Sequence, residues 1–242
     1  MKTKKRIIDN SCLINSDSEK YLKRIPDNSV DLLLTDPPYN IAKYSTGNIK
    51  LAGRSDLNND IGSWDEKELN YKRLAKEFVR IIKPTGNIFI FTTYNQIGKW
   101  HELLDPLFDT TQLFVWHKTN PTPNIFRKGF LNSCELIICF WNKGHTWNFT
   151  NQKEMHNFLE TSICMGNERI KNPKHPSQKP VKLLEHLIKI ASNENDVVLD
   201  PFMGVASTGI ASINLKRNFI GIEIDEKFYN ASIDRIKKHM DK

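Results

Sequence analysis

The segment that most constrains the fold of this chain is a buried-strand pattern that stops at two prolines. The apolar run Val30-Asp31-Leu32-Leu33-Leu34 is followed by Thr35 and then by Asp36-Pro37-Pro38-Tyr39. Consecutive prolines lack N–H donors and hold φ at about −65°, so they cannot continue a sheet ladder. The strand therefore ends at Asp36, which leaves a carboxylate, proline carbonyls and an aromatic ring at its carboxyl end. In open α/β sheets, ligands bind at this end of the strands.

Strand and helix patterns alternate along the rest of the chain. Short runs rich in β-branched and aromatic residues, which favour strands, cover residues 87–92, 112–116, 135–141, 196–200 and 218–225. Apolar residues at helical spacing cover residues 66–82, 95–104, 180–191, 207–215 and 226–239, and a short strand over 6–14 and a short helix over 20–25 come first. Alternation of this kind predicts an α/β fold with a doubly wound, mostly parallel sheet.

The composition is that of a soluble globular protein. Hydrophobic residues make up 39% of the chain, and no apolar run approaches the roughly 20 residues of a membrane-spanning helix. No signal-peptide block follows the basic residues 1–6. We therefore expect a cytoplasmic protein with no membrane contact. The four cysteines form no metal-ligand cluster, so free thiols and no metal are expected. The net charge of +7 favours a polyanionic partner.

A second candidate site lies in the strand–loop–helix pattern over residues 196–215. The strand ends in Asp200, and Gly204 in the next loop allows a ligand to approach the backbone. The following strand reaches Glu223, an acid placed to accept hydrogen bonds from ribose hydroxyls. The GxGxxG and P-loop patterns are both absent. The ligand predicted is therefore a nucleoside without a pyrophosphate, such as S-adenosylmethionine; the alternative is a plain βαβ turn.

Two long polar segments are candidate recognition elements. Residues 40–65 form either a flap over the site or a disordered insertion. Residues 142–180 interleave basic and aromatic side chains, which suits nucleic-acid contact but is also compatible with an ordinary solvated insertion. The candidate DNA-contacting residues are Tyr44, Trp64, Lys143, Trp147, Lys153, Arg169 and Lys171.

Three motifs together resemble those of the amino-group (N6-adenine or N4-cytosine) DNA methyltransferases. Asp36-Pro37-Pro38-Tyr39 is similar to their catalytic motif, and Asp200-Pro201-Phe202-Met203-Gly204 to their S-adenosylmethionine motif. His175-Pro176-Ser177-Gln178-Lys179-Pro180 resembles the segment before the cofactor half in the permuted beta group, which includes type II restriction-modification methyltransferases. The motif order matches that group.

The resemblance implies a fold, a division of the chain and partners. The fold implied is a circularly permuted, Rossmann-like methyltransferase domain over residues 1–242. Its catalytic half is residues 1–141, a target-recognition insert is 142–174, and the cofactor-binding half is 175–242. The partner implied is double-stranded DNA, and a homodimer and a cognate restriction endonuclease are left open.

The resemblance also implies site residues. The catalytic residues implied are Asp36, Pro37, Pro38 and Tyr39. The cofactor-binding residues implied are Ser11, Cys12, Asp36, Ser177, Gln178, Lys179, Asp200, Phe202, Gly204 and Glu223. Two departures from the family pattern stand out: Ala206 occupies the position of a second glycine, and Ser11 occupies a position near the adenine where the family has Asp or Asn.

The chemistry expected is methyl transfer to the N6 amine of adenine. Asp36 and the Pro37 carbonyl would each accept one N–H of the amine, while Tyr39 stacks on the flipped base. Asp rather than Ser before the prolines favours adenine over the N4 amine of cytosine. Cytosine C5 methylation is not expected, because the chain has no Pro-Cys pair for its thiolate nucleophile. More distant alternatives are an RNA or protein amide methyltransferase and a non-catalytic DNA-binding module.

Overall fold

The computed structural model describes residues 3–39, 69–124, 127 and 129–241, together with the backbone of residues 48–49 and 57–58. The strands are β1 (Lys4–Ile8), β2 (Ser11–Asn15), β3 (Val30–Thr35), β4 (Asn48–Ile49), β5 (Leu57–Asn58), β6 (Ile82–Thr92), β7 (Thr110–Lys118), β8 (Cys134–Trp141), β9 (Phe158–Thr161), β10 (Val197–Asp200) and β11 (Asn218–Glu223). The helices are α1 (Ser18–Tyr21), α2 (Tyr71–Ile81), α3 (Ile97–Leu104), α4 (Val181–Ala191), α5 (Ser207–Asn214) and α6 (Glu226–Met240).

Nine of the described strands form one sheet, and β4 and β5 form a separate antiparallel pair. The order in the main sheet is β1-β2-β11-β10-β3-β6-β8-β7-β9. Strands β2, β11, β10, β3 and β6 are parallel, and β8 runs antiparallel between β6 and β7. The strands β3, β10 and β11 therefore end at one edge of the sheet, which we call the carboxyl edge; the opposite edge is the amino edge.

Helices cover both faces of the sheet, because alternate side chains of each strand point to opposite sides. Leu33 belongs to a buried cluster with Phe78 of α2 and Trp100 of α3. Its neighbours in β3, Leu32 and Leu34, belong to a second cluster that includes α4. The doubly wound α/β architecture predicted from the sequence is confirmed.

Two predicted elements differ from the structure at their ends. The single strand predicted over residues 6–14 is a β-hairpin, in which β1 and β2 join through a turn with Asp9 at φ 46°. Helix α2 begins at Tyr71, where the Asn70 side chain accepts a hydrogen bond from the Arg73 amide at 3.0 Å. Asparagine is a favoured N-cap residue because its side chain satisfies an otherwise unpaired amide of the first turn.

The segment after β8 crosses the molecule from one edge to the other. Its start lies at the amino edge, where the Thr146 amide donates to the Thr85 carbonyl at 2.9 Å. The chain then enters β9, which pairs in parallel with β7 and ends beside Lys118 at the carboxyl edge. The predicted insert thus contributes a strand to the main sheet. Within the described residues, none of the helices is long and apolar enough to cross a membrane.

Candidate active site

The carboxylate of Asp36 lies directly beyond the end of β3, at the centre of the carboxyl edge. The Tyr39 hydroxyl donates a hydrogen bond to its Oδ1. The Lys179 ammonium lies 2.5 Å from its Oδ2. Gln96 anchors the proline turn through a 3.1 Å hydrogen bond from its side-chain amide to the Pro38 carbonyl. The acid is therefore held by groups from three separate segments of the chain.

Lys179 joins Asp36 to a second acid, Glu135 at the start of β8. The Lys179 Nζ atom lies 3.2 Å from Glu135 Oε2, and Lys118 at the end of β7 lies 3.1 Å from Glu135 Oε1. Burial raises the pKa of Asp36, although Lys179 opposes that rise. Burial also acts to raise the pKa of Glu135, but Lys179 and Lys118 together hold that pKa below its ordinary value.

Asp200, at the end of β10, is a fully engaged buried carboxylate. It accepts hydrogen bonds from the Thr35 hydroxyl at 3.0 Å and from the Thr208 hydroxyl at 2.7 Å. The Phe202 amide donates to it at 3.1 Å. Burial raises its pKa to about 6. Because Thr35 directly precedes Asp36, the hydrogen bond to Asp200 ties the proline turn of β3 to the glycine loop after β10.

Glu223, at the end of β11, faces the same loop. Its two carboxylate oxygens accept from the Gly204 amide at 2.9 Å and the Asp225 amide at 2.7 Å. A carboxylate has about four acceptor sites, so two remain for donors from a ligand. Burial raises the pKa of Glu223 to about 7.

The loop after β10 uses left-handed backbone at two positions. Gly204 has φ +53°, and a Cβ atom there would lie 2.7 Å from Nε2 of His175. Glycine is therefore needed for both conformation and space. Ala206 has φ 57° and ψ 44° at the start of α5. The departure from the family pattern thus places an L-residue in a conformation that usually selects glycine.

Comparison with known proteins identifies the family. A family model described as DNA methylase matches residues 30–234. The chain belongs to the DNA methylase family. The type II methyltransferase M.HinfI of Haemophilus influenzae is 32% identical over 245 residues, covering 93% of this chain and 68% of its own. M2.DpnII of Streptococcus pneumoniae is 31% identical over 246 residues, covering 93% of this chain and 89% of its own.

Solved structures agree with the fold of this DNA methylase. The crystal structure of an M1.HpyAVI–SAM complex is 26% identical and superposes with a TM-score of 0.69, covering 93% of this chain and 98% of that one. The cytosine-N4-specific PvuII DNA methyltransferase is 19% identical with a TM-score of 0.71, covering 96% and 91%. The second likeness concerns the fold alone. The predicted family and fold are confirmed.

Two residues were predicted near the adenine of the cofactor, and the register of β2 against β11 changes the position expected for them. Ser11 pairs with Phe219 at the start of β11, so Ser11 and Cys12 lie toward the amino edge. Asn15 pairs with Glu223, about 13 Å farther along β2. Its side-chain amide donates to the Glu223 carbonyl at 2.9 Å. Asn15, rather than Ser11, is therefore the polar residue of β2 that lies beside Glu223.

The segment before α4 makes contacts within the protein. The Gln178 side chain accepts from the Ile170 amide at 2.9 Å and donates to the Glu168 carbonyl at 2.8 Å, so it braces a neighbouring loop. Lys179 faces Asp36 rather than the glycine loop. Ser177 is half-buried. The cofactor contacts predicted for Ser177, Gln178 and Lys179 stay predictions.

The predicted DNA-contacting residues that the structure describes lie at different places in the fold. Tyr44 and Trp64 lie outside the described residues. Trp147 packs on Trp141 and His145, with ring centroids 5.1 and 5.4 Å apart, beside the amino edge. Lys143 precedes it there, and Lys153 lies on the way to β9, so these three are not brought to Asp36.

The later part of the insert does reach the carboxyl edge. Arg169 donates to the carbonyls of Cys164, His175 and Pro176, so it organises its own loop. Lys171 is exposed.

The residues that sequence reasoning missed are Asn15, Thr35, Thr208, Glu135 and Lys118. Glu135 and Lys118 carried a usable signal, because Glu135 opens one predicted strand and Lys118 closely follows another.

Proposed function

We propose that this DNA methylase transfers a methyl group from S-adenosylmethionine to the N6 amine of adenine in duplex DNA. The observation that carries the proposal is the hydrogen bond between Thr35 and Asp200. It places the turn after β3, which begins with Asp36, beside the loop after β10, which follows Asp200. The two strands are parallel neighbours and end at the same edge of the sheet. A substrate amine at Asp36 and a nucleoside cofactor at Glu223 would therefore meet between them.

The residues around the glycine loop fit S-adenosylmethionine. Gly204 offers a surface without a side chain, and its left-handed conformation turns the loop around the site. Glu223 has acceptor sites left for the two ribose hydroxyls. Asp200 and Phe202 would line the methionine end, and Asn15 the edge of β2 beside Glu223. The bound cofactor supplies an electrophilic methyl group on a sulfonium.

Asp36 acts by positioning and electrostatics rather than by covalent attack. The lone pair of the adenine amine is delocalised into the ring, which makes the amine a weak nucleophile. Hydrogen bonds from its two N–H groups to Asp36 and to the Pro37 carbonyl favour a pyramidal nitrogen whose lone pair faces the methyl group. Tyr39 lies next to this site for stacking on a base that has left the duplex.

DNA would approach the carboxyl edge, where the later part of the insert and the end of β6 carry exposed side chains. Lys171 and Lys174 are exposed there, and Tyr94 follows the end of β6 with 81% of its surface accessible. Lysines suit phosphate contact, and aromatic rings suit contact with unstacked bases. The catalytic half is residues 1–141, the insert that carries recognition is 142–174, and the cofactor half is 175–242.

Further partners and location follow from the same role. The relatives are type II methyltransferases, which supports a cognate restriction endonuclease as a functional partner. Strand β9 is the last strand of the main sheet among the described residues, so one of its sides is open to pairing with another chain. The side chains of Leu113 and Phe158 are exposed. Both features support a homodimer. A DNA substrate and free thiols support a cytoplasmic location.

The product of the reaction tests the proposal. The protein is incubated with labelled S-adenosylmethionine and duplex DNA of mixed sequence, and the DNA is digested to nucleosides. We expect the label in N6-methyl-2′-deoxyadenosine, because Asp36 rather than a serine precedes the two prolines. Label in N4-methylcytosine would contradict the adenine specificity. No transfer to DNA or to RNA would contradict the enzymatic role.

A further inference from the structure

Three charged side chains extend inward from Asp36 in one line of ion pairs. Lys179 bridges Asp36 at 2.5 Å and Glu135 at 3.2 Å, and Lys118 closes the line at 3.1 Å from Glu135. The side chain of Lys179 is 7% exposed and that of Lys118 is 11% exposed. The members come from the segment before α4, from β8 and from β7, so three elements converge on the acid after β3.

Stability alone is a poor reason for such a line of charges. Taking an ammonium and a carboxylate out of water costs several kcal/mol per ion, and their attraction often does no more than offset that cost. Lys179 is also enclosed by aromatic rings, with its Nζ atom 5.0 Å from the centroid of Phe91 and 5.7 Å from that of Tyr39. Its position is thus fixed from several directions, and the site carboxylate with which it pairs at the end of β3 is Asp36.

We propose that Lys179 is a positioning residue that holds Asp36 ionised and correctly turned, and that Glu135, anchored by Lys118, holds Lys179 in place. This inference rests on the proposed role of Asp36 as the acceptor of the adenine amine. With Oδ2 fixed by Lys179, Oδ1 is the oxygen that faces Tyr39 and the incoming base. A freely rotating or protonated Asp36 would lose that acceptor geometry.

The charges around Asp36 make the two key variants distinguishable. The groups facing Asp36 are Lys179, Glu135, Tyr39 and Asp200, and Lys179 is the cation among them. Removal of Lys179 leaves burial and two acids to favour protonated Asp36, so transfer should require a higher pH. Removal of the Glu135 charge takes away an acid, so transfer should not require a higher pH.

The test compares single-turnover methyl transfer across a pH series, with saturating S-adenosylmethionine and DNA. Lys179→Met should slow transfer about 100-fold at neutral pH and move the acidic limb of the profile upward by about 1 to 3 pH units. Lys179→Arg keeps the cation and should keep the limb. Glu135→Gln should slow transfer about 10-fold or more through lost positioning, without an upward shift.

A matched control exists at the amino edge. Lys83 forms a 2.7 Å ion pair with Asp31, far from Asp36 along β3. Lys83→Met breaks a Lys–Asp pair on the same strand and should keep both the rate and the pH profile. The Lys83 side chain is 36% exposed against 7% for Lys179, so thermal unfolding of both variants separates any loss of stability from the proposed role.

Several outcomes would overturn the inference. These are a wild-type profile in Lys179→Met, a loss of rate that is equal at every pH in that variant, or an upward shift in Glu135→Gln. If Lys179→Met does not fold, Glu135→Gln and Lys179→Arg still decide the question, because Glu135→Gln keeps the shape of the site and Lys179→Arg keeps its positive charge. Absence of transfer by the wild-type protein would instead contradict the proposed function.

Discussion

Asp36 has both of its carboxylate oxygens engaged before any substrate is present. Tyr39 donates to Oδ1 and Lys179 to Oδ2. Each carboxylate oxygen accepts more than one hydrogen bond, so an amine N–H can join Tyr39 at Oδ1 or replace it. The acid is thus an acceptor that is oriented in advance, and its buried site strengthens every hydrogen bond made to it. That arrangement serves an amine whose N–H bonds must be directed.

At the residue scale we expect Asp36→Ala to separate catalysis from cofactor binding. The variant loses the acceptor for one amine N–H, so single-turnover transfer should fall at least about 100-fold. The S-adenosylmethionine dissociation constant should stay within about tenfold, since the Asp200 and Glu223 contacts are intact. Lys179 still pairs with Glu135 at 3.2 Å, so the variant does not leave a buried cation alone.

Transfer assays and calorimetric titration check this prediction side by side. Asp234→Ala, at an exposed position of α6, serves as the control and should match the wild type in both measurements. Full transfer by Asp36→Ala would show that the amine is directed by other groups.

Individual site residues were predictable where an acidic side chain stands at the end of a predicted strand. Asp36, Asp200 and Glu223 each end a strand, so the acids of one edge followed from the order of parallel strands. The Lys179–Glu135 pair did not follow, because it joins distant segments whose contact depends on β8 entering the sheet antiparallel. Ser11 was expected at the end of the first strand. It is instead the first residue of β2, directly after the turn of the hairpin.

At the element scale, the start of α5 carries a backbone strain that can be measured. Ala206 has φ 57°, a conformation that costs an L-residue about 1 to 2 kcal/mol. Ala206→Gly removes that cost. It also removes a buried methyl group, whose burial contributes about 0.8 kcal/mol. In addition, glycine raises the conformational entropy of the unfolded chain, which lowers the free energy of unfolding by about 0.4 to 1 kcal/mol. The free energy of unfolding should therefore stay within about 1 kcal/mol of the wild type.

Ala211→Gly is the matched comparison, because Ala211 is buried in the same helix with ordinary helical backbone. It should lower the free energy of unfolding by about 2 kcal/mol, from the lost methyl group and the glycine penalty in a helix. Urea unfolding of both variants measures the difference. Equal losses in the two variants would show that the left-handed position is not strained.

The elements that the sequence pattern left out are those without a long apolar run. Strand β9 spans Phe158–Thr161 and alternates exposed and less exposed residues. Its place is set by pairing with β7 and by the 2.8 Å hydrogen bond from the Trp116 indole to the Thr161 hydroxyl. Such tertiary contacts override weak local preference. The helices with strong apolar spacing, α4 and α6, were predictable to within a residue or so of their ends.

At the scale of the whole molecule, the carboxyl edge collects acids whose protonation is linked to stability. Burial raises the pKa of Asp200 to about 6 and that of Glu223 to about 7. The native state therefore holds protons that the unfolded chain has released, and these acids lower the free energy of unfolding as pH rises from about 4 to about 7. Burial lowers the pKa of His175 to about 4, and this acts in the opposite direction below about pH 6.5.

The contribution of Glu223 is isolated by comparing the wild type with Glu223→Gln, which cannot titrate. The wild-type stability, relative to that variant, should fall as pH rises through about 4.5 to 7 and then level off. Thermal unfolding across this range measures the difference, and a difference that does not change with pH would contradict this contribution.

Added S-adenosylmethionine should counteract the loss of stability that Glu223 causes as pH rises. In the proposed binding mode its ribose hydroxyls would donate to Glu223, and its sulfonium is positive, so both would favour the ionised carboxylate. The rise in melting temperature on adding the cofactor should therefore grow between about pH 6 and about pH 8 in the wild type. In Glu223→Gln the rise should be smaller and nearly independent of pH. A cofactor-induced rise that is constant with pH in both proteins would place the ribose away from Glu223.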